Sequence, residues 1–302
     1  MRCASRWQWE MAAIGKYEIE REEEWKLLVD PERWHPLLWT QIVKILKCDA
    51  PGHHPLVTRF RFAAGNETQE FYLKTYYSLR MADKVKSLFR DSKAFRALKQ
   101  GQALERERFN VPPVVAAGEE RRRGVLIRAF LLTLRIKGVP LPIFLRSYDA
   151  RPAPAGMIRQ KREHLRKLAK EIRRLHRLGF VHGDLTPYNL FVCSDSNRDL
   201  FVLMDNDRTR RYPPWFYHRL WRRNLLQLNR FKLPGISLQD RVRFLRCYLE
   251  PGCERNAELR LLHWLEARTR KRRAWKDRFR GQVSFRELMK WDGVFAKKTN
   301  LN

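Results

Sequence analysis

Long apolar runs are missing from this chain. No stretch approaches the ~20 apolar residues that span a bilayer, and Met1–Glu10 holds no signal-peptide core. Both absences predict a protein that stays in the cytoplasm. Cysteine is sparse and poorly spaced: Cys3, Cys48, Cys193, Cys247 and Cys253 are odd in number and form no C-x-x-C pair. That spacing excludes a disulfide framework and a cysteine zinc site, and it predicts reduced thiols. Internal repeats and low-complexity linkers are also lacking. Acidic residues are short by half, with 33 Asp and Glu against 63 Lys and Arg, a net charge of +30 in 302 residues.

A field of that sign draws a protein to polyanions: nucleic acid, an anionic membrane or a phosphorylated lipid. The cations thicken at Arg121–Arg123, across Arg159–Arg177, at Arg208, Arg210 and Arg211, and over Arg268–Arg280. Any one cluster reads equally as a solvated face; the total asks for an acidic partner. Ten Trp and nine Tyr could stack on bases. Yet no RNA-recognition, KH, zinc-finger or helix-turn-helix signature accompanies them, which argues against nucleic acid.

The most informative segment is His182-Gly183-Asp184-Leu185-Thr186-Pro187-Tyr188-Asn189, followed by an apolar run, a turn and Leu203-Met204-Asp205. Its fixed positions would recur by chance in roughly one chain in 10⁴ of this length, if each residue type makes up about 5% of a chain. Phosphoryl transfer needs a carboxylate to orient the attacking hydroxyl, an amide and a carboxylate to hold Mg²⁺, and a cation on the nucleotide phosphates. Asp184 fits the first role, and Asn189 and Asp205 fit the second. Upstream, Leu165, Leu168, Ile172, Leu175 and Leu178 recur at helical spacing, and Gly179 ends that helix. Downstream, Leu190–Val192 and Leu200–Met204 read as two strands joined by the turn cluster Ser194–Asn197. This order brings Asp184, Asn189 and Asp205 to one end of a β-hairpin.

The phosphate-binding cation is expected on a strand well upstream. Lys74 lies in Glu70–Tyr77, a run rich in β-forming residues; a second such run, Val57–Phe62, precedes it across the turn Ala63–Thr68. In so basic a chain a lysine on a strand is also read as a solvated side chain. Two usual parts are hard to find. No G-x-G-x-x-G precedes Lys74, and Lys47–His54 holds one glycine, Gly52. The helix expected from about Asp91 to Glu107 carries Gln100 and Gln102 centrally, leaving Glu105 as the candidate partner of the lysine, or else a surface glutamate.

With these residues in place the chain resembles the lipopolysaccharide kinase family, the Kdo and heptose kinases of the WaaP type, over roughly residues 55–250. The resemblance rests on Phe71–Lys74, Val111–Glu119, the His182–Asn189 loop, Leu203–Arg208, Arg223–Arg230 and Arg241–Leu249. It implies an α+β, two-lobed, protein-kinase-like fold, with a small antiparallel-sheet lobe and a mainly helical one. It also implies ATP- and Mg²⁺-dependent phosphorylation of a sugar hydroxyl in the lipopolysaccharide inner core. By position, Lys74 looks like the nucleotide lysine, with Glu105 as its weaker companion, Asp184 the catalytic acid/base, and Asn189 and Asp205 the metal ligands. Asn206 stands where an apolar residue is usual, which leaves the local packing open.

A protein Ser/Thr kinase fits less well. Gly183 leaves the loop without an arginine to pair with an activating phosphate, and neither D-F-G nor A-P-E follows; the chain runs from Arg208 through Pro214 into apparently helical sequence. A pseudokinase that only binds nucleic acid or membrane is disfavoured by the intact Asp184, Asn189 and Asp205. The expected partners are an anionic glycolipid substrate and an anionic membrane surface, giving a cytoplasmic protein peripheral to the inner membrane. The domain reading is an aromatic extension over residues 1–45 (Trp7, Trp9, Trp25, Trp34, Trp39), a small lobe over 46–134 and a large lobe over 135–302, with a hinge near Phe130–Arg135. The extension reads as a cap on the small lobe or as an interfacial segment. The basic stretch Arg268–Arg280 reads as an interfacial helix or as a solvated closing helix.

Overall fold

A computed structural model describes residues 18–279 apart from 23, 53–54, 65–66, 79–80, 150–153, 196–197, 214–219, 232, 234, 250–251 and 253. Trp7, Trp9 and residues from 280 onward lie outside that description, as do the side chains of 273–279. Two compact units are present: one holds the residues up to Phe144 together with Gly179–Tyr212, the other Leu145–Leu178 and the residues from Pro213.

The first unit is built on a six-stranded antiparallel sheet. Its strands are β1 (Glu18–Glu22), β2 (Trp25–Val29), β3 (Leu56–Ala64), β4 (Glu67–Tyr77), β5 (Val114–Arg122) and β6 (Val125–Leu134), in the order β1-β2-β5-β6-β4-β3. The hairpin expected around Ala63–Thr68 is β3–β4, paired from Leu56↔Thr75 to Ala64↔Glu67. Alternate residues of a strand face opposite sides of a sheet, and here both sides are covered. Leu27, Val29, Phe71, Leu73, Phe130 and Leu132 form one core with Leu38, Ile42 and Leu46 of α1 (Leu37–Cys48). Leu28, Tyr76, Ala117 and Ala129 form the other with Ala94, Phe95 and Leu98 of a later helix. Lys74 shares the Tyr76 side by the same alternation, and that assignment matters for the site.

Trp25 contacts Trp39 edge-on at 5.6 Å and Phe130 at 5.5 Å, while β2 pairs with β5. Residues 18–48 thus add two strands and a helix to the sheet. The stretch Phe130–Leu134 lies inside β6, and the chain leaves the strand at Arg135. Gly118 faces Phe130 across the β5–β6 ladder, where a Cβ would come within 2.2 Å of that ring.

Between β4 and β5 come α2 (Met81–Ser87) and α3 (Lys93–Arg106). Helix α3 starts where the sequence predicts: Ser92 Oγ caps the Phe95 amide at 3.1 Å. The Ser92 amide in turn donates to the buried Glu119 Oε1 at 2.7 Å, and Arg121 Nε donates to Glu119 Oε2 at 2.8 Å. A buried carboxylate so satisfied fixes the helix start to β5, because its charge is unfavourable without those donors.

Next come β7 (Val139–Pro140) and α4 (Leu141–Arg146), then α5 (Ala155–Arg177), which buries Leu165, Leu168, Ile172 and Leu175 as the periodicity predicts. The short strand β8 (Phe180–Val181) and the hairpin β9 (Leu190–Asp195)–β10 (Arg198–Leu203) come after it. A short strand intervenes between Arg208 and the helical sequence expected past Pro214. Arg210–Arg211 form β11, paired with β8, because Tyr212 N–H donates to Gly179 O at 2.9 Å. The second unit holds α5, α6 (Trp221–Leu228), α7 (Leu238–Tyr248) and α8 (Arg255–Phe279). Within it, α7 begins with a capping box between Ser237 and Asp240, and Lys161 of α5 donates to Asp240 at 2.8 Å. Among the described residues no helix is long and apolar enough to cross a membrane.

Glu70 ties the edge of the sheet by charge. Arg61 Nε donates to it at 2.8 Å, Arg59 Nη2 at 3.1 Å, and Arg135 Nη1 from the end of β6. The bond from Arg61 and then that from Arg135 lower its carboxyl from the ordinary 4.5 to about 2. A lowered carboxylate stabilises the fold fully above its unfolded value and loses that contribution as pH falls through the folded one. Glu70→Gln should therefore lower Tm at pH 7, and the difference from wild type should close between pH about 4.5 and about 2, measured by thermal melts across pH.

Candidate functional site

The open end of the β9–β10 hairpin carries the residues of the His182–Asn189 motif. Asn189 and Met204 flank the last pair of the ladder, Leu203↔Leu190. Met204 N–H donates to Asn189 O at 2.9 Å, and fully buried His182 donates from Nε2 to Met204 O at 2.8 Å. Burial lowers the pKa of His182, so the ring is neutral. The loop and the Asp205 segment are therefore sewn together on both sides of one residue.

The next five residues of the loop hold Asp184 in place. Leu185 is fully buried, Thr186 N–H donates to Asp184 O at 2.8 Å, and Pro187–Asn189 form a 3₁₀ turn. The Asn189 amide donates to Asp184 O at 2.8 Å and stands 3.4 Å from Asp184 Oδ2. Both neighbours are acceptors, which fixes the NH₂ toward Asp184 and leaves Oδ1 as the end not turned to it. Gly183 is required here. Its φ is +74°, and a Cβ would lie 2.5 Å from Arg208 O.

Asp205 adopts a left-handed conformation, φ 58° and ψ 58°, uncommon for a residue with a side chain and concentrated at functional sites. Asn206, the unexpected residue beside it, has a packing role: it is buried, its amide donates to Leu203 O at 2.9 Å, and Thr209 Oγ1 donates to its Oδ1 at 3.3 Å. An apolar residue would leave these groups without that partner. Hydrogen bonding, not apolar contact, is what packs this position.

Lys74 reaches this end of the hairpin. Its Nζ lies 2.5 Å from Asp205 Oδ1 and 5.3 Å from the centre of the Tyr76 ring. The pair is partly exposed, so it contributes only about 0–1 kcal/mol to stability; its interest is chemical. Lys74, Asp184, Asn189 and Asp205 are all located by this one hairpin end. Glu105 is exposed in the last turn of α3, and the carboxylate that Lys74 meets is that of Asp205. The buried face of α3 is instead Ala94, Phe95, Ala97, Leu98, Gly101, Gln102 and Leu104.

Two further residues join the constellation. Asp207, two past Asp205, sits on the 3₁₀ turn Asn206–Arg208 that packs on α3. Burial, and next the charge of Asp205, raise its pKa, against the pull of Lys74, Arg208 and Lys93. Tyr76 lies two past Lys74 on the same side of β4; its hydroxyl pKa is raised well above 10 by burial and then by Asp207 and Asp205. For Tyr76 the i, i+2 spacing from Lys74 was the available signal, since residues two apart on a strand share a face; Asp207 lies on a 3₁₀ turn, and no such spacing pointed to it.

The glycine of the loop gives a direct check. Gly183→Ala should destabilise the fold by about 1–3 kcal/mol through a disfavoured φ and a clash. Gly156→Ala, in the first turn of α5 with nothing within 4 Å of a new Cβ, should be neutral or stabilising by up to about 1 kcal/mol. Chemical denaturation of both variants compares them.

No match is found among curated protein sequences. Among solved structures, the chain superposes on "WaaP in complex with acyl carrier protein" with a TM-score of 0.57 at 20% identity, covering 81% of this chain and 98% of that one. The Rio2 kinase–ADP/Mg²⁺–phosphoaspartate complex from Chaetomium thermophilum scores 0.38 at 16% identity, covering 89% and 85%, too low to carry an argument. The first likeness gives the fold, the α+β protein-kinase-like one. The profile of the lipopolysaccharide kinase (Kdo/WaaP) family matches residues 57–248, from β3 to the end of α7. That match spans more than half of the chain and contains every residue of the hairpin-end constellation, so this protein is a phosphotransferase belonging to the lipopolysaccharide kinase (Kdo/WaaP) family.

Proposed function

We propose that the chain transfers a phosphoryl group from Mg²⁺-bound ATP to a hydroxyl of a lipopolysaccharide inner-core sugar, Kdo or heptose. The observation that carries this reading is the convergence of Lys74, Asp184, Asn189 and Asp205 on one hairpin end. The donor set suits the cofactors. The Asp205 carboxylate and the Asn189 Oδ1 are hard oxygen ligands of the kind Mg²⁺ takes, and Asp205 is accessible, with 37% of its side chain exposed. Among the described residues no group of three or more His, Cys, Asp or Glu is arranged to hold a metal. Mg²⁺ characteristically uses one or two protein ligands and completes its shell with water and substrate phosphates.

When bound, Mg²⁺-ATP supplies the electrophilic phosphorus and the charge neutralisation. The residues of the chain do the rest. Lys74 would exchange its contact with Asp205 for the nucleotide phosphates, freeing that carboxylate as a ligand. Asp184, held by the Asn189 amide, would accept a hydrogen bond from the acceptor hydroxyl and take its proton as the new O–P bond forms and the bond from that phosphorus to the departing ADP breaks. The net charge of +30 favours an anionic acceptor such as a phosphorylated glycolipid core.

Asp184→Asn should reduce turnover by about 10²- to 10⁴-fold, the range for losing a general acid–base group, while nucleotide binding is retained. Lys74→Met and Asp205→Asn should each weaken nucleotide binding, and together do more than the sum of the two, because the contact that binding must break is removed by either change and its relief counts only once. Titration of a nucleotide and single-turnover assays separate these effects. Retained turnover in Asp184→Asn would remove this loop from the chemistry. Mass spectrometry of lipopolysaccharide from cells with and without the gene identifies the sugar, by loss of one phosphate.

A further inference from the structure

One short stretch presents its apolar residues outward. Among the described residues, Met81 (72% exposed), Val85 (56%), Leu88 (48%) and Phe89 (87%) are the densest group of exposed large apolar side chains. Met81, Val85 and Leu88 recur at i, i+4 and i+7, which puts them on one side of α2 and its continuation. A polar residue of the helix docks on the sheet. Ser87 is buried; its Oγ donates to Lys84 O at 2.5 Å and accepts from the Leu126 amide of β6 at 3.2 Å.

The stretch is firmly held. The Arg121 guanidinium donates to Ser87 O at 2.8 Å, to Gly124 O at 3.0 Å and to Arg90 O at 3.4 Å, while its Nε is fixed by Glu119. That clasp joins the apolar stretch to the β5–β6 turn, where a Cβ on Gly124 would meet Leu88 Cδ2 at 3.7 Å. Exposed cations flank it: Arg90 on one side, Arg123 on the turn. The nearby acid Asp91 is paired with Lys99 at 2.8 Å, and Arg122 is paired with Glu24 at 2.8 Å. Arg123 has a φ of 47°, at a turn position where Asn or Gly is the favoured residue. A cation is thus kept at a place where it is conformationally unfavourable.

We infer that Met81, Val85, Leu88 and Phe89, with Arg90 and Arg123, form a docking face for an anionic lipid surface. The charge complementarity is direct, and apolar side chains that project this far suit a fluid interface, which needs no matching hollow. The inference rests on the proposed function, because a glycolipid acceptor is anchored in a bilayer and the enzyme must come to it.

The test uses the full chain and sedimentation with vesicles of phosphatidylcholine alone or mixed with phosphatidylglycerol. Wild type should favour the mixed vesicles. Val85→Ser with Phe89→Ser should weaken partition at least about tenfold, from loss of apolar burial. Phe89→Leu should keep most of it, which separates lost burial from misfolding. Arg90→Gln and Arg123→Asn should each weaken binding to the anionic vesicles about fivefold, in a salt-dependent way. Arg123→Asn should at the same time raise Tm, which a purely structural role for the arginine would not give.

Turnover of a soluble, delipidated core acceptor should be unchanged in all four variants, while turnover of vesicle-embedded acceptor falls with partition. Unchanged partition in the Val85→Ser, Phe89→Ser variant overturns the inference, including a result in which only Arg270→Gln, Lys271→Gln and Arg272→Gln together release the protein. So does a self-association or an acidic-protein complex lost with Phe89→Ser while vesicle binding persists. If instead wild type fails to turn over the soluble acceptor yet binds vesicles through Phe89, the functional reading fails and the docking face stands.

Discussion

The peptide groups of Met204 are the hinge pin of this molecule. Its N–H is held by Asn189 and its C=O by the buried, neutral His182, so one residue fixes the acid-bearing loop against the segment that bears Asp205. The His182 ring is fully buried, so its bond to Met204 O is unfavourable to leave unmade. Everything chemical is positioned from there. Asp184 is placed by the Asn189 amide, Asp205 by a left-handed turn just beyond Met204, and Lys74 by its ion pair to Asp205. Side chains alone could not give this order, since the Lys74–Asp205 pair is partly exposed and weak.

Several of the chain's acids work inside the fold. Asp30, Glu119, Glu120 and Asp240 are buried, each bonded to a cation: Arg33, Arg121, Arg128 and Lys161 respectively. These carboxylates act as internal anchors for helix starts and strand edges. Each of these acids neutralises the cation it holds, so the net charge of +30 is carried by the remaining Lys and Arg.

Side-chain alternation in β4 is what brings the lysine to the constellation. Phe71 and Leu73 are buried in the core with α1, whereas Lys74 shares the side of Tyr76 and α3. A shift of one residue in the register would send Lys74 into the apolar core instead. The same reasoning explains why Tyr76 shares the electrostatics of the site without carrying a recognisable motif: it lies two residues past Lys74 on the same strand.

Much of the site was legible because it is local. The helical spacing of Leu165–Leu175, the turn clusters and the H-x-D-L-x-P-x-N spacing depend on neighbours a few residues away, and the chain realises them in α5, β9 and β10. Glycine at 183 was visible too, although its reason, the approach of Arg208 O, was not. Contacts distant in sequence were illegible. The carboxylate that meets Lys74 belongs to Asp205, 131 residues away, whereas the sequence offered only Glu105, as a candidate partner or else a surface glutamate. The strand formed by Arg210–Arg211 is too short to have a pattern, and the pairing of β2 with β5 joins segments of unlike composition. The packing at Asn206, open from the sequence, is settled by its partners Leu203 O and Thr209. The outward face of α2 depends on which side of the helix Ser87 and Arg121 pin to the sheet. By itself the sequence determined the element types and the chemistry of the loop, through periodicity, turn residues and motif spacing. Only the tertiary structure decided which charges pair, which polar groups are satisfied and which apolar side chains stay in water, because burial and pairing belong to surfaces brought together from far along the chain.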